Sequence, residues 1–288
     1  MRGGAAGRRA IAAALDALLD TALASLPPDR PRERPVSEAP PPPPPPEPEP
    51  ASFGEDPAVL TIVVTGTVRS RSATIHLADS SVRTYDASPY FELGGRVELR
   101  PLAHEQSYAR GVFAYADVAG ALGLSSRRSD GMSFPTSFYR LGISVGYLVP
   151  VGEVVEVGAG FGGGWDAYQL ADNQTMPTVE YPYLRPAVRA RFRVMGETVV
   201  IGLEGGYRAL LGREGLSSAF GVDGASFGWD AGGSLSGTLD FGLVYAIEAG
   251  FTQYQHSFVE GSSWFIGQGT QGTDGGYRFA AAVGYAFR

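Results

Sequence analysis

The sequence predicts an all-β fold: an antiparallel, up-and-down transmembrane β-barrel of about ten strands, preceded by a disordered proline-rich segment. Bulky apolar residues recur at every second position in segment after segment from Val59 onward. The alternate positions hold mostly Gly, Ala and Ser with isolated charges, and the links between segments alternate short and long. A period of two marks a strand with two chemically different faces. A soluble sandwich covers its apolar face with a second sheet or with helices. No helical pattern follows residue 57 to do so, whereas lipid can.

Composition narrows the classes. The chain has 288 residues with 40 Gly and no Cys, which excludes disulfides, thiolate zinc sites and a lipidated cysteine anchor. All 23 basic residues are Arg, and the net charge of −7 with no isolated basic run argues against a nucleic-acid partner. No stretch approaches the ~20 apolar residues of a membrane helix. No metal-ligand spacing appears, and Gly158–Gly163 lacks the strand–loop–helix setting and Lys-Ser/Thr ending of a phosphate loop. Neither metal nor cofactor is expected.

Three regions follow. Residues 1–26 are signal-like: Arg2, Arg8 and Arg9 precede an apolar run that ends in Ala22-Leu23-Ala24-Ser25, although Asp16 and Asp20 also fit a short amphipathic helix. Residues 27–57, with seven consecutive prolines (Pro40–Pro46), form a disordered spacer. About thirty residues at ~3.1 Å each reach ~90 Å when extended, enough for a periplasmic arm to touch the cell wall. Residues 58–288 form the barrel.

Within it, Leu60, Ile62, Val64 and Val68 mark the first strand, and Phe91, Leu93, Val97 and Leu99 the second. The third falls in 107–121, where Phe113 and Tyr115 share a face with Asp117, so a bulge is expected. Tyr139–Val149, Val155–Trp165, Leu184–Val194, Val199–Leu211, Phe227–Leu239 and Phe241–Phe251 supply the next six. The tenth is Tyr277–Phe287, expected to close the barrel against residues 59–69. Tight links fall near Pro150–Gly152, Met195–Glu197 and Leu239–Asp240, and longer ones at 122–135, 170–180, 212–225 and 258–275. Short links then share one end and long links the other.

The chain resembles the small bacterial outer-membrane β-barrel proteins, a porin-like group, over about residues 57–288. The most specific element is the ending Val283-Gly284-Tyr285-Ala286-Phe287, followed here by Arg288. It looks like the assembly signal of barrel precursors, carried by Gly284, Tyr285 and Phe287. The resemblance implies outer-membrane localisation, with outer-membrane lipid and the barrel-assembly machinery as partners and the N-terminal arm in the periplasm.

The inward positions are expected to hold a charge network of Glu92, Arg96, Glu98, Arg100, Arg140, Glu156, Asp166, Arg185, Arg189, Arg191, Arg193, Glu204, Arg208, Asp230, Glu248 and Arg278. Buried charges must be paired or hydrated, and in a narrow barrel they most simply form a plug. The leading function is then structural or surface interaction, with Phe134, Tyr168, Trp264 and Phe265 as sticky loop residues. A narrow, anion-leaning solute channel is the alternative. Ten-stranded outer-membrane proteases place Asp–His pairs at the outer rim, so a third reading is a rim hydrolase using His256. A hairpin centred on Leu239–Asp240 would set His256 opposite Asp223.

Overall fold

The computed structural model describes residues 57–105, 107–127, 132–171, 176–213, 215–259, 264 and 266–288. The signal-like segment 1–26 and all but the last residue of the 27–57 spacer lie outside the described residues, as does Phe265. The strands are β1 (Leu60–Leu77), β2 (Val82–Leu99), β3 (Val112–Leu122), β4 (Ser125–Arg127), β5 (Ser133–Val151), β6 (Val155–Leu170), β7 (Val179–Met195), β8 (Val199–Leu210), β9 (Asp223–Thr238), β10 (Leu243–Phe258) and β11 (Gly269–Phe287). A short helix, α1 (Leu216–Phe220), lies between β8 and β9. Ten of the strands form a closed antiparallel barrel in the order β1-β11-β10-β9-β8-β7-β6-β5-β3-β2, with β2 returning to β1. The three-residue β4 pairs with β5 and touches β2 at Asp86↔Arg127.

Closure runs through β11, which pairs with β1 from Leu60↔Phe287 to Arg69↔Arg278 and on to Leu77↔Gly269. Every wall strand therefore has a neighbour on each side, which satisfies the backbone without water.

Three details differ from the sequence expectations. The links do not sort fully by length. The β1–β2 turn is short although it lies at the long-loop end, and the β2–β3 link at the other end carries a 3₁₀ turn, Tyr108–Gly111. That link is held in place, since Ala103 and Arg110 are buried, and so is the inward-facing Leu148 beside it. Second, β3 keeps one register with both neighbours, so there is no bulge. Phe113, Tyr115 and Asp117 simply all face the lumen. Third, the β9–β10 turn occupies 239–242, with Gly242 at φ 93° and its N–H donating to the Leu239 carbonyl. The wider turn shifts the hairpin register, so His256 pairs with Ser226, while Asp223 pairs with Phe258 past a bulge.

The strands are also longer than their apolar patterns, and their chemistry inverts along the way. On the turn-end half, outward residues are apolar and exposed: Ile62, Val64 and Val68 on β1, Leu141, Ile143 and Val145 on β5, and Phe279 and Val283 on β11. This band stops at an aromatic girdle. Tyr139 meets Trp165 at 5.3 Å, Tyr207 meets Phe227 at 5.9 Å, and Phe251 meets Trp229 at 5.0 Å and Tyr277 at 4.9 Å between ring centroids. On β5 the band spans Tyr139 to Val149, matching the ~9–11 residues a tilted strand needs to cross a bilayer. Beyond the girdle the outward residues turn polar: Ser72, Thr74 and His76 on β1, Gln253 and Gln255 on β10, Gln271 and Thr273 on β11.

The inward face changes in the opposite sense. Below the girdle it carries Arg, Glu and Asp. Above it, Ile75, Leu77, Tyr85, Phe138, Tyr181, Tyr254 and Phe258 join one buried apolar cluster, onto which α1 lays Leu216 and Phe220. The barrel is thus a membrane protein over one half of its height and has a water-soluble protein's core over the other.

This inversion sets a test by charge insertion. Ile143→Arg, in the middle of the band, should cost about 2–4 kcal/mol of stability in a bilayer. Thr273→Arg, beyond the girdle, should change it by less than about 0.5 kcal/mol. Urea-dependent folding into lipid vesicles reads both.

Candidate functional site

The lumen is the candidate site, and strand alternation builds it. Because β7 presents every second residue inward, Arg185, Arg189, Arg191 and Arg193 form a column on one wall. Carboxylates on the neighbouring and facing walls meet it. Arg185 bridges Glu204 at 2.6 Å and Asp230 at 2.5 Å, and Arg189 holds Glu204 at 2.6 Å. Glu156 accepts from both Arg191 and Arg193 at 2.7 Å. Arg208 joins Asp166 at 2.8 Å to Asp230 at 2.7 Å. Arg96 on β2 pairs with Glu248 on β10 at 2.8 Å, Arg100 pairs with Glu98 two residues earlier at 3.0 Å, and Glu92 pairs with Arg69 on the neighbouring strand at 2.5 Å. Arg140 lies 3.5 Å from Asp117, and Arg278 lies 3.8 Å from Glu248. Each inward charge named from the sequence has an ion-pair partner, in separate groups: one around Arg185, Arg189 and Arg208, one around Glu156, one around Glu248, and the pairs Arg140–Asp117 and Arg69–Glu92.

Glycines make room for it. A Cβ on Gly206 would stand 2.7 Å from the Arg185 guanidinium, one on Gly142 2.6 Å from the Asp117 carboxylate, and one on Gly250 2.9 Å from Arg278. At these inward positions a side chain would displace the ion pairs. A cavity of about 270 Å³ remains among them, lined by Arg96, Arg140, Arg189, Arg278, Glu98 and Asp117 and reaching toward the turn end at Thr61 and Val244.

Above the girdle the polar groups are few and enclosed. Arg71 grips Asp274 through Nε at 2.9 Å and Nη2 at 2.5 Å, and its guanidinium lies 3.6 Å from the Tyr168 ring centroid. The Tyr181 hydroxyl donates to Asp274 at 2.7 Å and lies 3.3 Å from Nε2 of His256, whose Nδ1 lies 3.2 Å from the Ser226 hydroxyl. His256 is buried and stacks on Tyr181 at 5.5 Å. Burial pushes this imidazole down to about 4, so it is neutral at physiological pH. Burial, and then the Asp274 carboxylate, holds the Tyr181 hydroxyl well above its usual range. His256 therefore lies inside the upper core, hydrogen-bonded to Ser226 and Tyr181 with no carboxylate in direct contact among the described residues. The hairpin register sets His256 opposite Ser226 and not opposite Asp223. Tyr168, expected on a loop, is a buried member of the same core.

Sequence reasoning missed Arg69, Arg71, Asp117, Glu197 and Asp274. Arg69 and Arg71 continue the inward parity of Thr65 and Thr67, and Asp274 that of Arg278, so alternation carried past the apolar band would have found them. Asp117 was obscured by two aromatic neighbours on its face. Glu197 sits in the β7–β8 turn and closes the Arg193 pair at 2.7 Å, which no periodicity signals.

At the C-terminus, Gly284, Tyr285 and Phe287 end β11 opposite Val63, Ile62 and Leu60. Tyr285 and Phe287 are exposed with rings 4.9 Å apart, and a Cβ on Gly284 would strike the Ile62 carbonyl at 2.0 Å.

Removing one shared partner should be costly. Glu156→Gln leaves Arg191 and Arg193 facing each other with only Glu197 between them, and should destabilise the folded barrel by about 3–5 kcal/mol in detergent unfolding. For His256, the unfolded imidazole titrates near 6.5 and the folded one near 4. The unfolded chain then binds more protons in that window, so stability present at neutral pH is lost as pH falls from about 6.5 to about 4. His256→Gln should flatten that slope, and an NMR titration should show the wild-type imidazole neutral through pH 5.

No protein-family model and no curated protein matches this sequence. Among solved structures the chain is similar to the outer membrane protease OmpT from Escherichia coli, at 8% identity over 83% of this chain and 99% of that one, with a TM-score of 0.49. It is also similar to the P. putida toluene transporter TodX, at 7% identity over 82% and 91% of the two chains, TM-score 0.34. A third is Neisserial surface protein A, at 11% identity over 78% and 97%, TM-score 0.29.

Proposed function

We propose that this chain is an outer-membrane barrel whose lumen is shut and whose work is structural or surface interaction at the loop end. The observation that carries the reading is the apolar cluster above the girdle. Ile75, Phe138, Tyr181 and Phe220 fill the lumen there with almost no exposure, where a conducting pore would need water. The outward apolar band and the aromatic girdle support contact with outer-membrane lipid. In this reading Tyr285 and Phe287 present the assembly signal to the barrel-assembly machinery, and the proline-rich arm lies in the periplasm within reach of the cell wall. Trp264, exposed at the loop end, offers an apolar contact to an external partner.

A narrow anion-leaning path is the second reading, favoured by the arginine-lined cavity. No hydrolytic role is proposed for His256. Planar-bilayer recording of the full chain separates the two readings. The closed barrel should give a silent baseline, whereas steady, salt-dependent single-channel steps would overturn it in favour of the path.

A further inference from the structure

The cavity in the turn-end half holds an imbalance at mid-barrel. Three guanidiniums meet there, those of Arg96, Arg140 and Arg278, against two carboxylates, Asp117 and Glu248. Glu248 accepts from both terminal nitrogens of Arg96, at 2.8 and 3.4 Å. Arg140 and Arg278 have no ion pair closer than 3.5 and 3.8 Å among the described residues, and neither makes a hydrogen bond to its carboxylate. The Arg140 Nε, the atom that faces Asp117 at 3.5 Å, is buried and donates no hydrogen bond, although guanidinium donors in such a setting are normally satisfied. Arg278 lines the same space as Arg96 and Arg140. Both Arg140 and Arg278 line the cavity.

From this arrangement we infer that the cavity is a binding site for a small dianion of the phosphate, sulfate or dicarboxylate class, held between Arg140 and Arg278. A guanidinium presents two parallel N–H groups, so two of them facing a common space match the oxygens of a tetrahedral or carboxylate anion. A bound dianion satisfies the idle donors, turns the local excess of positive charge into pairing, and relieves the repulsion between the two arginines. The cavity reaches toward the turn end while the apolar cluster fills the opposite half, so the anion arrives from the turn side. The site needs no through-path, and conductance and binding therefore fail or succeed independently.

The test uses the full chain, refolded in nonionic detergent and exchanged into chloride. Inorganic phosphate, sulfate and succinate are titrated separately at constant ionic strength, with heat and thermal midpoint as readouts. The expected result is saturable binding of one anion per chain by at least one of the three, with a rise in thermal midpoint. The Arg140→Gln, Arg278→Gln double variant should weaken binding at least about tenfold, and Arg288→Gln, at an exposed position, should not. Arg278→Gln alone separates an anion site from a structural ion pair. In chloride it should be at least as thermostable as wild type, because it removes an uncompensated charge, and it should lose the anion-dependent rise. A lower midpoint with that rise intact would overturn the inference. So would no saturable binding of any of the three anions, or equal affinity in the double variant. If the double variant does not fold, the single variant and the wild-type titration decide.

Discussion

A β-strand cannot turn its faces over. Side chains alternate with a period of two, so a residue of given parity points to the same side along the whole strand unless a bulge intervenes. When a strand is longer than the bilayer is thick, its surroundings change partway along while its geometry does not. The chemistry of the sequence must change instead. On β10 the outward series Ile247, Phe251, Gln253, Gln255 passes from apolar to polar, and the inward series Glu248, Tyr254, Phe258 passes from charged to aromatic. The girdle, the lumen charges and the upper core are three expressions of that one constraint.

The lumen charges answer a problem that the band creates. With the apolar residues turned to lipid, the interior of the lower half has no hydrophobic core to form, and its order rests on polar pairing. Arginine suits this because one guanidinium can hold two carboxylates in a fixed plane, as Arg185 does with Glu204 and Asp230 and Arg208 does with Asp166 and Asp230. Small residues opposite them, such as Gly142 and Gly206, keep the bulky ion pairs from colliding with the wall. Phe113 and Tyr115 also face the lumen for this reason: the Arg189 guanidinium lies 4.8 Å and 5.2 Å from their ring centroids.

The lower half was legible in the sequence because its signal is strong. Bulky apolar residues alternate there with glycine, alanine and charge, so Tyr139–Val149 or Tyr277–Phe287 could be read as strands at sight. The upper half was hidden because each contrast weakens. Ser70, Ser72 and Thr74 outside, against Ala73 and Ile75 inside, form an alternation of small residues that resembles a loop. The pairing of His256 was misread for a different reason. It depends on the length of the 239–242 turn and on a bulge before Phe258, and neither is written in the periodicity of the flanking strands.

The closing seam between β11 and β1 is continuous from the turn end through the girdle to Leu77, so both chemical halves are stitched by the same pair of strands. Opening that seam would therefore undo both halves together, unpairing the β1 and β11 edges in the lower half and releasing Ile75 and Leu77 from the upper core.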